Sequence, residues 1–221
     1  MMILPFAVLL ATIVAPATPG PVPSPSATPL RTIATVKSTP YCTAFAAHFN
    51  GAVQPMLVND RTLDSVSVSL DDIDSIFHKP DFAIRFGAER AKLTKYVDDL
   101  QKNLPFMQTQ INQLRAGEAL TKDAGARQEM HQLAQELQRA YDKQKQLATD
   151  LLGVVQAMMQ TDTSNVDPTD ARGELADMQL PADMKSTKSY LRFDGQRDVI
   201  GDAEDKAGDL AIDEAEKYCT K

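Results

Sequence analysis

The side chains able to carry chemistry in this sequence are few and scattered. Cys42 and Cys219 are the only cysteines, and each falls on the apolar side of a helical pattern. In an oxidising compartment such an even pair is a disulfide candidate, with two separate buried thiols as the alternative. A bridge would set the start of the first helix beside the end of the last, and loop entropy assigns it about 4 to 5 kcal/mol as an upper figure. A redox-active role lacks its CxxC. His48, His78 and His131 have no second histidine at the i, i+4 spacing of helical metal sites, and no E-x-x-H or C-x-x-C-H pattern occurs. No metal, haem or other cofactor is expected.

The carboxylates fall into two groups. Asp71, Asp72, Asp74, His78 and Asp81 form the densest polar cluster, with Asp74 and His78 on one helical face, but the D-x-D-x-D-G order of a calcium loop is not matched. Asp198, Asp202, Glu204, Asp205 and Asp209 fail the same template and read as the wet side of an amphipathic helix. Residues 194–221 hold nine Asp or Glu against four Lys or Arg, which concentrates there most of the net charge of −7. That acidity excludes nucleic acid as an expected partner, because phosphate binding needs clustered Lys and Arg. No G-x-S-x-G, phosphate-cradling glycine loop or recognisable Cys and His nucleophile context is present. With aromatic residues at 6% and no Trp, the chain is poor in the material of a deep apolar pocket, so a non-enzymatic role is expected.

The chain that must position these groups opens with an address. Residues 3–14, ILPFAVLLATIV, are too short for the roughly 20-residue span of a bilayer and suit the core of a signal peptide. Small residues at Ala15 and Ala17 predict cleavage after Ala17, giving a signal peptide over residues 1–17. Because Met1 and Met2 bring no Lys or Arg, an uncleaved N-terminal membrane anchor is the alternative. Residues 18–39 carry Pro19, Pro21, Pro23, Pro25 and Pro29 and read as an extended, disordered linker, since proline removes amide donors and fixes φ.

From residue 40 to residue 221 the pattern is helical. Thr39 is placed to cap a first helix with Pro40 in its opening turn, and Tyr41, Phe45, Phe49, Ala52, Val53 and Met56 recur at helical spacing. This helix is expected to bend at Pro55 and to stop near Asn59 and Asp60. Residues 62–77 mix a period of two with a helical step, and helix is preferred because no strand partner is evident. Two heptad series follow: Leu93, Val97, Leu100, Leu104, Met107, Ile111 and Leu114, then Met130, Leu133, Leu137, Ala140, Gln144, Leu147, Leu151, Val154 and Met158. Gly117 and Gly125 act as breakers between them, which predicts an antiparallel coiled-coil hairpin over about 82–160. Pro105 should kink its first arm. Ala140 and Gln144 weaken the middle of the seam. The face made by Leu151, Leu152, Val154, Val155, Met158 and Met159 is too wide for two helices, so that end is expected to pack against the N- and C-terminal helices while the Gln-rich end projects. A short helix opening at Asp167-Pro168 and ending before Pro181, a turn at Asp194-Gly195 and a last helix near 198–218 complete the pattern. Ala203, Ala207, Ala211, Ala215 and Cys219 form a row of small residues on that last helix.

The expected fold is therefore all-α: an elongated antiparallel hairpin joined to a small bundle formed with the N- and C-terminal helices. The expected role is that of an exported protein, periplasmic or extracellular, that binds or scaffolds another protein helix or a second copy of itself. The alternative is a helical carrier of an apolar small molecule. Leu133, Leu137, Leu151, Val155, Met158 and Met159 are the expected partner or ligand contacts.

Overall fold

The computed structural model describes residues 32–33, 37–76, 81–160 and 187–220. The expected signal peptide, nearly all of the linker and the short helix after Asp167 lie outside these residues. Among the described residues four helices carry the fold: α1 Pro40–Ile76, α2 Phe82–Gly117, α3 Ala124–Gln160 and α4 Thr187–Glu214. A 3-10 turn, Glu118–Leu120, follows α2, and a π turn, Ala215–Cys219, ends α4. Among the described residues there is no strand.

The start of α1 follows from its capping chemistry. Thr39 Oγ1 accepts the Cys42 amide at 3.2 Å, and Pro40 occupies the first turn, where its missing amide has no intrahelical partner to lose. The helix then runs well past the stop expected at Asn59 and Asp60. Those two residues do not terminate it because their side chains find partners inside the bundle rather than on the local backbone: Asn59 is fully buried and bonded to α2 and α3. The 62–77 segment, ambiguous in period, is helical through Ile76, and its Leu63, Val66 and Ile73 join the core.

The antiparallel hairpin is present as α2 and α3. All seven residues of the first series are buried, as is every residue of the second except Val154, which is partly buried against the same core. At the hairpin tip Asp123 caps α3, its Oδ1 accepting the Ala126 amide at 3.0 Å. Gly117 closes α2, but Gly125 lies inside α3. Its lack of a side chain has a tertiary reason, since a Cβ there would stand 2.5 Å from the Tyr218 hydroxyl.

The flanking helices run alongside the hairpin instead of gathering at one end of it. Packing α1 on α2 and α4 on α3 completes an up-down-up-down four-helix bundle. The Gln-rich end therefore does not project: the start of α1 and the end of α4 meet at the hairpin tip, where Tyr41 reaches the Ala126 carbonyl at 3.1 Å. Cys42 and Cys219 are bonded there, 177 positions apart in sequence with Cα atoms 5.5 Å apart. The turn expected at Asp194-Gly195 is instead part of α4, which starts at Thr187. Just beyond that pair, Gln196 donates to Asp150 of α3 and Arg197 pairs with Asp64 of α1, so tertiary contacts on both sides support the helical continuity. Ala203, Ala207, Ala211 and Cys219 line the buried side of α4 and its π turn, with Ala215 partly buried.

A buried polar layer as the candidate functional site

The α1–α2, α2–α3 and α3–α4 seams are close, whereas α1 and α4 face each other across a wider seam. At mid-height the bundle is crossed by a layer of polar side chains, of which the heptads announce only Gln144. Gln144, the one polar residue of the α3 series, is fully buried, so its amide must be satisfied within the protein. Asn103 Nδ2 donates to Asn59 Oδ1 at 2.8 Å, and Asn59 Nδ2 donates to Gln144 Oε1 at 2.9 Å. Gln144 Nε2 then donates to Glu204 Oε1 at 3.0 Å and to Asp60 Oδ1 at 3.2 Å. All four helices contribute, and each amide hands its donor to the next. This relay ends on a carboxyl pair.

Gln144 Nε2 thus holds the Asp60 and Glu204 carboxyls side by side, each acting on the other's ionisation, an arrangement that favours one proton shared between them. Burial raises the pKa of Glu204 most, followed by the adjacent charge of Asp60; the Gln144 donor works in the opposite sense. Asp60 is also raised by burial, against the lowering effects of its bond to Glu204 and of the Arg197 charge. We assign the shared proton to Glu204 at neutral pH, with Asp60 as the charged partner nearer Arg197. Two carboxyls held this closely cannot both ionise at low cost. Arg197 donates to Ser67 Oγ at 3.1 Å and pairs with Asp64, forming the rim of a cleft of about 100 Å³ lined by Asp60, Leu63, Arg197, Ile200, Gly201 and Glu204. The cleft lies in the wide α1–α4 seam.

Glu204 departs from the expectation of a wet acidic face: it is only 7% exposed. Its helical neighbours Asp198, Asp202 and Asp209 are exposed as expected, and Asp205 is raised by partial burial, then by Asp209 and Asp202. In the other acidic cluster, Asp81 pairs with Arg85 at 2.6 Å, Asp72 is partly buried, and the side chains of Asp71, Asp74 and His78 lie outside the described residues. His48 meets Gln110 at 3.0 Å and His131 meets Glu118 at 3.2 Å. Among the described residues no group of three or more His, Cys, Asp or Glu is arranged to hold a metal ion.

Leu133, Leu137, Leu151, Val155 and Met158 are buried in the bundle, and Met159 is 57% exposed. The first five are packed in the core of this chain, and Met159 alone of the six lies at the surface. Among the described residues no helix is long and apolar enough to cross a membrane. No protein-family model, curated protein or solved structure matches the chain.

Proposed function

We propose that the protein is exported and acts without catalysis as a binding or scaffolding element in the cell envelope or outside the cell. The observation that carries this reading is the Cys42–Cys219 pair at bonding distance. Disulfides persist in oxidising compartments, and this one clamps the two terminal helices of a bundle whose interior is filled by its own side chains. A clamped bundle offers a rigid outer surface for docking, with Gln132 and Gln135 exposed on α3 and Met159 exposed near its end. The reading also accords with the apolar N-terminal stretch and its small residues at Ala15 and Ala17.

The test uses protein isolated from its native host. Intact mass and non-reducing peptide mapping should report cleavage after Ala17 and one linked fragment holding both cysteines. A photo-cross-linker placed at Gln132 or Gln135 should then join the protein to another protein or to a second copy. Free thiols at Cys42 and Cys219 would overturn export to an oxidising compartment. A co-purifying apolar small molecule, lost when Leu151 and Val155 are made polar in a variant that still folds, would replace scaffolding by carriage.

A further inference from the structure

At the bridged end of the bundle two carboxylate oxygens are buried without a hydrogen-bond partner. Tyr41 stands next to Cys42 at the start of α1, and its hydroxyl lies 3.1 Å from the Ala126 carbonyl and bonds to Glu214 Oε1. Glu214, the last residue of α4, is fully buried, and its Oε2 has no partner. Glu129, on α3, takes Lys217 Nζ on Oε1 at 3.1 Å, while its Oε2 is also buried and unpartnered. The two glutamates lie on adjacent helices and their charges interact. A buried acceptor without a donor is costly, and a proton on Glu214 would both satisfy its own Oε2 and remove the repulsion between the two carboxylates.

Protonated Glu214 would keep Oε1 as the acceptor of the Tyr41 hydroxyl and would no longer repel Glu129. The groups facing it are Tyr41 from α1, Asp123 from the loop before α3, Glu129 from α3, and Lys217 and Tyr218 from the π turn. Only Lys217 is cationic, and it is engaged by Glu129 and Asp213. We propose that Tyr41, Glu214 and Glu129 form a proton-operated latch, which holds the start of α1, the hairpin tip and the end of α4 together when Glu214 is protonated and loosens them when it ionises. The disulfide keeps the ends tethered, so opening is local. Burial, and then the Glu129 and Asp123 charges, raise Glu214 to about 7, while its bond to Tyr41 and the Lys217 charge act against them. Tyr41 itself is raised by burial and by Glu214, so it stays a donor across the range in which Glu214 titrates. The latch is thus closed on the acid side of neutrality and loosened on the alkaline side.

Hydrogen exchange of the full, disulfide-intact chain at pH 5.5 and 8.0, corrected for the intrinsic pH dependence of exchange, reads this directly. Because the Asp60 and Glu204 carboxyls titrate in the same window, the comparison is made in a Glu204→Gln background: there, protection at residues 41–45, 126–130 and 211–219 should fall about tenfold between the two pH values, while residues 100–107 change less. In a Glu204→Gln, Glu214→Gln double variant, which keeps an acceptor for Tyr41 and carries no titrating proton beside Glu129, the fall should disappear. A fall that persists in the double variant, or no fall in the Glu204→Gln chain, overturns the latch. If either variant does not fold, carboxyl-carbon NMR of the unaltered protein decides: a Glu214 midpoint near 7 that tracks amide shifts at Tyr41 and Glu129 supports it, and a midpoint in the ordinary carboxylate range refutes it.

Discussion

Replacing Glu204 by Gln isolates the carboxyl pair at the centre of the bundle. In the native protein burial and the neighbouring Asp60 push Glu204 up to about 9, far above its value in an unfolded chain. The folded state therefore holds a proton that the unfolded state has released, and stability is lost as pH rises toward 9. Between pH 7 and pH 9 Glu214 and Asp60 contribute little, because they titrate at or below neutrality, and Lys217 and Tyr218 are shifted further to the alkaline side by their carboxylate neighbours and burial. At 1.36 kcal/mol per pKa unit the two-unit window allows close to 3 kcal/mol. Sharing of the proton within the pair reduces the expected loss to about 2 kcal/mol, which for a chain of this length is about 4 to 8 °C in melting temperature. The amide introduced in Glu204→Gln would keep an acceptor for Gln144 and a donor for Asp60 but would not titrate. Thermal melts followed by circular dichroism at pH 7, 8 and 9 should show the decline in the native protein and a much flatter profile in the variant. A native protein equally stable at pH 7 and 9, or a variant with the native slope, would refute the shared proton.

Three further outcomes follow from named contacts. Gln144→Leu matches the surrounding apolar seam yet leaves Asn59 Nδ2 without its amide acceptor and the carboxyl pair without its donor, so chemical denaturation should show a loss of about 2 to 4 kcal/mol. Removing the bridge in a Cys42→Ser, Cys219→Ser double variant should lower the melting temperature, by about 2 to 5 kcal/mol in stability, while the far-ultraviolet helical signal persists at 25 °C. Gly125→Ala should destabilise despite the better helix propensity of alanine, because the new methyl meets the Tyr218 hydroxyl; combining it with Tyr218→Phe should restore part of the loss in the same melts.

Much of the architecture is present in local pattern. Heptad steps on α2 and α3 require two helices to bury a continuous seam, and Thr39 with Pro40 marks where α1 begins, because capping is decided within one turn of chain. The pairing of Cys42 with Cys219 was also legible, since an antiparallel return of the last helix to the first brings those two apolar-face positions together. Where local reading placed ends and turns, packing overruled it. Asn59, Asp60 and the Asp194-Gly195 pair have the residue types of stops, yet each continues a helix because tertiary partners satisfy the side chains on or beside it.

Gln144 was a sequence signal of the polar layer, as an amide on an apolar seam. Of its partners, Asn59 stands three residues after Met56 and four before Leu63, on the apolar face of α1. Glu204 sits in an acidic run whose members Asp198, Asp202 and Asp209 are exposed, yet it stands four residues after Ile200 and three before Ala207, on the buried face of α4; which groups it meets there is set by where α4 crosses Gln144 and Asp60. Glu214 and Glu129 likewise become a pair only when α3 and α4 are laid side by side. Sequence alone determined the helical class, the apolar seams and the candidate bridge, because these follow from residue spacing and chain connectivity. Tertiary structure alone decided where the helices end and which carboxyls stand beside one another, since both depend on neighbours brought from distant parts of the chain.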